Sequence, residues 1–358
     1  MKINHLIRPL KVPAACRLLM LLAGSSLLSF CSCSSDTESV GGRDRAVVRM
    51  AFFAEGQQGQ RRALTVANWS AVNNLAVAIY DDGGGAIGYQ RETTPVADGT
   101  GMYTLDVATH AAKDCSIYAA ANVVGDLFGD GSKLSDVKNK KITRTALTDL
   151  ASDTEVPMVG VYSSTVDITG GTQTIGNVEL KRLCSRIDVT LSAATGITLT
   201  SLQLCHLPRG SWYVERTPAT WTAPAAYDDF SEVTVTGSTT FSQSYFVYES
   251  LAGTVEGLTA ETDRHKDNAP TDASYLLIGA TGDGWKTVFR VYLGGVDTGG
   301  AVNHNNFNIY RNCHYTVNVQ VNGSSDSDLR IDKRVETIGM AATLGDWTGT
   351  TEVPGVAE

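Results

Sequence analysis

Apolar and polar side chains alternate with a period of two through most of this 358-residue chain. That rhythm suits half-buried strands and is out of phase with a helix. Tyr315, Val317, Val319 and Val321 fall on one face, and Thr316, Asn318 and Gln320 on the other. Ile187, Val189 and Leu191 alternate with Asp188, Thr190 and Ser192, and Leu75, Val77 and Ile79 alternate with Ala76, Ala78 and Tyr80. Between such runs lie turn clusters: Asp81-Asp-Gly-Gly-Gly85, Gly170-Gly171, Gly282-Asp283-Gly284 and Gly299-Gly300. Only residues 133–150 read as helix. The pattern predicts an all-β chain of antiparallel sandwiches, and its length suits two of them. Thirty-five glycines and only 19% charged residues agree with a turn-rich β protein.

The first forty residues read as an address. Lys2, Arg8, Lys11 and Arg17 form a basic start, and residues 18–30 an apolar run too short to span a bilayer. The run ends at Cys31 and Cys33. A lipoprotein signal requires a small residue before the modified cysteine; Ser32 precedes Cys33 whereas Phe30 precedes Cys31, so Cys33 is the expected lipidation site. A polar, acidic stretch follows, as a tether from a membrane requires. The alternative is an ordinary cleaved secretory signal.

Charge and motifs exclude several functions. Residues 63–358 carry 20 Lys and Arg against 34 Asp and Glu, a net charge of −14. So acidic a surface speaks against binding nucleic acid or anionic lipid. Cys115, Cys184, Cys205 and Cys313 are too scattered for a disulfide framework and read as small buried hydrophobes. Gly83-Gly-Gly-Ala-Ile-Gly88 matches a dinucleotide fingerprint, but no helical period follows it, so a hairpin turn is expected. Residues 126–136 resemble a calcium loop but place Phe128 and Val137 where oxygen ligands belong. The histidines lack metal-ligand spacing, His314 and Cys313 point to opposite strand faces, and no nucleophile elbow occurs. No catalytic residue, cofactor or metal is expected.

Two segments are unusual for a simple secreted sandwich. Ala46, Val48, Met50, Phe52 and Ala54 form the apolar face of a core strand just after the tether. A Gly- and Gln-rich stretch then leads to Arg61-Arg62-Ala63, a dibasic site open to an arginine-directed protease. A cut there detaches the strand together with the lipid anchor. It leaves an apolar groove flanked by unpaired backbone groups, which favours accepting a strand from another chain. The tail, residues 328–347, has Leu329 and Ile331 on one face, then Ile338, Met340, Ala342 and Leu344 on another. It either closes its own sheet or serves as a donor strand.

A series of segments then carries a resemblance. Arg62-Ala63 is followed by Asn73-Asn74-Leu-Ala-Val-Ala-Ile-Tyr-Asp81, Tyr118-Ala-Ala-Ala-Asn122 and Val156-Pro-Met-Val-Gly160. Next come Val178-Glu-Leu-Lys-Arg-Leu-Cys-Ser-Arg-Ile-Asp-Val189 and Phe246-Val-Tyr-Glu249. Tyr292-Leu-Gly-Gly295, Asn306-Phe-Asn-Ile-Tyr-Arg-Asn312 and Tyr315 complete it. In order and spacing the chain resembles the fimbrillin family, the type V pilins with their tip and anchor relatives. Cys184-Ser185 departs from the small apolar pair usual there. The resemblance implies two transthyretin-like sandwich domains in tandem, export as a lipoprotein, cleavage after an arginine and polymerisation by strand donation. Mapped onto this chain, residues 1–33 are the signal ending at Cys33, and 34–62 the tether and removable strand. Residues 63–177 form the N-terminal domain and 178–358 the C-terminal domain with its donor tail. The implied partners are other fimbrial subunits, an arginine-specific protease and, before cleavage, the outer membrane through the lipid. Two other readings stay open: an uncleaved, lipid-anchored fimbrial anchor, and a monomeric glycan-binding lipoprotein using Trp212, Tyr213, Trp221, Trp285 or Trp347.

Overall fold

Strands dominate the computed structural model, which describes residues 44–54, 71–129, 131–152 and 156–337. The first half contributes β1 (Arg45–Ala54), β2 (Leu75–Tyr80), β3 (Ala86–Glu92), β4 (Tyr103–His110) and β5 (Ala112–Ala121). After these come β6 (Lys141–Thr143), β7 (Met158–Val161), β8 (Val166–Ile168), β9 (Gly171–Thr174) and β10 (Val178–Arg182). All but β6 join one sheet in the order β3-β2-β5-β7-β10-β1-β4, with β8 on β5 and β9 on β1. The two ends of this sheet meet, because the Thr109 hydroxyl of β4 donates to the Ile87 carbonyl of β3 at 2.9 Å. The sheet therefore wraps a core of Val48, Met50, Phe52, Val77, Ile79, Leu105, Val107, Ile117, Met158 and Leu180.

In the second half β11 (Cys184–Ala193), β12 (Thr198–Cys205), β13 (Leu207–Pro208), β14 (Gly210–Trp212), β15 (Tyr227–Asp228) and β16 (Val233–Ser238) come first. They are followed by β17 (Thr240–Tyr248), β18 (Ser250–Thr254), β19 (Tyr275–Gly282), β20 (Trp285–Tyr292), β21 (Asn306–Ile309), β22 (Cys313–Val321) and β23 (Leu329–Thr337). Two four-stranded sheets, β17-β11-β22-β23 and β16-β12-β19-β20, face each other. Their inward residues, among them Ile187, Val189, Leu191, Leu202, Ile278, Phe289, Val317 and Val319, make a second core. This is the alternation of the sequence, read out as burial.

The all-β expectation holds; two local expectations do not. Residues 133–150 are not one helix: α1 (Leu134–Lys138) and α2 (Asp149–Ser152) are single turns, with β6 between them. So short a helix gains few hydrogen bonds, while β6 pairs with β14 through Ile142↔Ser211 and ties the two halves together. The C-terminal domain was expected to begin at Val178, yet β10, which starts there, still pairs with β1 and β7 of the first sheet. The chain changes sheets at Leu183, which is fully buried in a third apolar cluster. That cluster packs Tyr80, Tyr118 and Val159 of the first sheet against Leu183, Tyr213 and Tyr248.

Several of the quoted segments have plain structural causes. Asn122 sits at φ 58°. Its amide donates to the carbonyls of Ala71 (2.6 Å) and Val156 (3.0 Å), and its oxygen accepts from the Asn73 amide (2.8 Å). Gly294 (φ +81°) leaves no room, since a Cβ there would lie 2.6 Å from the Asn306 carbonyl oxygen. Gly160 is tighter still: a Cβ would stand 2.4 Å from the Glu179 carbonyl oxygen and 2.8 Å from the nearest Val178 methyl. Gly160→Ala is therefore expected to force β7 and β10 apart and cost about 3 kcal/mol. The shift of the urea midpoint measures it, and an unchanged midpoint contradicts the packing described.

Candidate functional site

β1 is an internal strand, not an edge. On one side it pairs antiparallel with β4 from Arg45↔His110 to Phe52↔Tyr103. On the other it pairs in parallel with β9 over Ala46–Arg49 and with β10 over Phe52–Ala54. Between those two stretches the Ile175 amide donates to the Arg49 carbonyl at 2.9 Å. Its inward face is the predicted one. Val48, Met50, Phe52 and Ala54 have no exposed surface, and Ala46 is 4% exposed. Fully burying a Val, Met or Phe side chain contributes about 1.5–3 kcal/mol, so β1 is a major holder of the first core.

Its outward face carries one strong polar contact. Arg49 donates from Nε and Nη2 to the two carboxylate oxygens of Asp106 on β4, each at 2.7 Å. Hydrogen bonding to Arg49 holds the Asp106 carboxyl below the usual carboxylate range. Both side chains are about half exposed, so solvent screens the pair and it adds little stability. β1 is thus held by its apolar face and by two ladders of backbone hydrogen bonds.

Cys33, Arg61, Arg62, Ala63, Ile338, Met340, Ala342 and Leu344 lie outside the described residues. The structure brings together the five inward residues of β1 with their slot, and it places the first part of the tail. Leu329 and Ile331 lie on β23, which closes its own sheet against β22 from Cys313↔Thr337 to Val321↔Leu329. The glycine fingerprint forms the β2–β3 hairpin, with the Gly84 amide donating to the Asp81 carbonyl at 2.9 Å. Asp126 is spent inside its own loop, accepting from the Phe128 and Gly129 amides and from the Tyr89 hydroxyl. Among the described residues no three His, Cys, Asp or Glu come together as a metal site, and no helix is long and apolar enough to cross a membrane. Cys115, Cys184, Cys205 and Cys313 are all buried, and burial pushes the Cys205 thiol up to about 12. The ring of Trp212 is covered by the Arg216 guanidinium at 4.0 Å, and Tyr213 and Trp221 are buried.

Two buried charge clusters escaped the sequence reading. Arg311 donates from Nε to Glu249 at 2.8 Å and pairs with its other oxygen through Nη2. Arg311 also reaches the carbonyls of Trp212 (2.9 Å) and Tyr213 (3.2 Å). Near it Arg182, fully buried, donates to the Asn312 side-chain oxygen at 3.0 Å. Ser185 bridges the Tyr310 carbonyl and the Cys313 amide. The other cluster is Lys333 on β23, whose ammonium contacts Glu261 and donates to the Tyr292 carbonyl at 2.5 Å. Burial pushes this ammonium down from 10.5 to about 8. Both clusters join residues far apart in the chain, which period and composition do not reveal.

Comparisons with known proteins agree with this geometry. Residues 46–200, from β1 through β11, match the family described as "Major fimbrial subunit protein (FimA)". Residues 245–319 match a family described as a domain of unknown function (DUF4906). No curated protein matches the sequence. Among solved structures, the C-terminally truncated tip fimbrial protein Mfa3 of Porphyromonas gingivalis is similar with a TM-score of 0.55 at 16% identity, covering 81% of this chain and 99% of that one. A fimbrilin (FimA) of the same organism is similar with a TM-score of 0.53 at 14% identity, covering 81% and 97%. At such identities the likeness speaks for the fold; the sequence match over the first sheet speaks for the family. The match over residues 46–200 supports a fimbrillin-family assignment for this chain.

Proposed function

We propose that this chain is a subunit of a cell-surface fimbria that joins its neighbours by exchanging strands. In this reading it is exported as a lipoprotein acylated at Cys33, held at the outer membrane and cut between Arg62 and Ala63 by an arginine-specific protease. β1 then leaves, and a strand from the next subunit fills its place. The two halves act as sandwiches in tandem, the first accepting a strand and the second carrying the donor tail with Ile338, Met340, Ala342 and Leu344. One observation carries the reading: the strand beside the dibasic site is an internal strand whose inward face is wholly buried. Its loss opens a slot lined by Val77, Leu105, Val107 and Ile117, between two rows of unpaired backbone groups.

A joint made this way dissociates slowly, because several large apolar side chains and a full ladder must come out together. Surface-extracted protein is therefore expected to run as a ladder on a denaturing gel when unheated and to collapse to one band on boiling. A single band under both conditions speaks against polymerisation.

A further inference from the structure

We propose that Lys333 determines which part of the tail is exchanged: it bars β23 from donation and confines the donated strand to residues beyond Thr337. The inference rests on the strand-exchange reading above and deepens it.

β23 is the last strand of its sheet among the described residues, bonded to β22 on one side. Leu329, Ile331, Lys333 and Val335 occupy its inward positions, with Lys333 only 8% exposed. An inward charge on a terminal strand is a known guard against promiscuous pairing. Here the charge is provided for, but only at home. Its ammonium meets the Glu261 carboxylate and the Tyr292 carbonyl at the end of β20. Glu261 is also approached by Arg264 Nε at 3.3 Å and His304 Nδ1 at 3.7 Å. Arg264 is held by the Asn306 and Leu293 carbonyls, at 2.9 and 2.6 Å, and by the Phe307 ring at 4.0 Å. These partners belong to the second half of the same chain.

Among the described residues the core that β1 fills offers nothing comparable: it is an apolar cluster that includes Val77, Leu105, Val107 and Ile117, and none of the buried charged side chains belongs to it. A period of two makes the conflict inescapable. Any register that buries Ile331 and Val335 in that slot buries Lys333 as well. Slipping by one residue turns Arg330, Asp332, Arg334 and Glu336 inward instead. An unpaired ammonium among aliphatic side chains is strongly disfavoured. From Thr337 to Gly345 the chain carries no charge, and its alternate residues Ile338, Met340, Ala342 and Leu344 resemble the inward face of β1.

Synthetic peptides test this on the full-length protein after cleavage at Arg62 and release of β1. The probes span residues 327–337, the same segment with Lys333→Met, residues 337–347, and residues 45–54 as a positive control. Binding is read as the peptide-bearing fraction by native mass spectrometry and as its dissociation rate. The 327–337 peptide is expected to bind at least 10-fold more weakly than its Lys333→Met form, while 337–347 and 45–54 bind stably. Equal binding of 327–337 and its Lys333→Met form, with 45–54 also binding, overturns the role of Lys333 and leaves strand exchange intact. Failure of all four peptides to bind overturns strand exchange and, with it, this inference.

Discussion

Replacing Arg61 and Arg62 together with alanine is expected to leave lipid-tethered monomer and to reduce assembled fibre at least 10-fold. β1 is bonded on both sides and buried on its inner face, so an uncut chain keeps its own slot full. A neighbour's strand then competes with a covalently attached one, whose effective concentration is far higher. Immunoblots of unheated surface extracts and electron microscopy of the cells provide the measurement. Normal fibres from this double variant place the cut elsewhere or remove the need for it. Single replacements are expected to act unequally: Arg62→Ala removes the residue at the proposed cut, whereas Arg61→Ala leaves an arginine there and has the smaller effect.

The second large effect concerns the joint between the halves. Arg311→Ala is expected to destabilise the protein by about 3–5 kcal/mol, because Glu249 is left buried without its partner. In a chain of this size that corresponds to a fall of about 4–8 °C in Tm. Glu249 lies between β17 and β18, and Arg311 between β21 and β22. The carbonyls of Trp212 and Tyr213 that Arg311 also holds lie on or next to β14, which pairs with β6 of the first half. Removing the guanidinium therefore loosens the contact through which one half bears on the other. The double variant Glu249→Ala with Arg311→Ala is expected to cost less than the two single variants added together, since neither charge is then stranded. Additive losses contradict a buried, interdependent pair.

Much of the first sheet was legible in the sequence because one-sided burial imprints itself on alternate residues. Ala46, Val48, Met50, Phe52 and Ala54 were read as one inward face, and that is their placement. What alternation does not encode is the partner of each strand. β1 is paired in parallel with β9 and β10 more than 100 residues away, and the same pattern is equally consistent with an edge strand. The end of the first half was placed early for the same reason: β10 has the alternation of its successor β11, and only its bonds to β1 and β7 assign it to the first sheet. The helix expected at 133–150 failed because tertiary pairing of Lys141, Ile142 and Thr143 outweighs weak helical periodicity.

Buried charges were the least legible. Lys333, Arg264, Arg311 and Glu249 are residue types that normally stay at the surface, and only the fold shows that they are buried, with the partly exposed Glu261 beside Lys333 and Arg264. A signal was nevertheless present. Lys333 occupies the same strand face as Leu329, Ile331 and Val335, and a charge in phase with apolar neighbours marks a position where the fold must supply a partner. Glu249 and Arg311 both lie in segments that carried the family resemblance, and their contact gives those segments a physical cause.

The measurement that bears most directly on strand exchange is the first residue of the protein as it stands on the cell surface. Fibres sheared from cells and sequenced from the amino terminus are expected to begin at Ala63, with no peptide covering Arg45 to Ala54 in the digest. A blocked, acylated Cys33 at the start, with Val48, Met50 and Phe52 still in the chain, contradicts it.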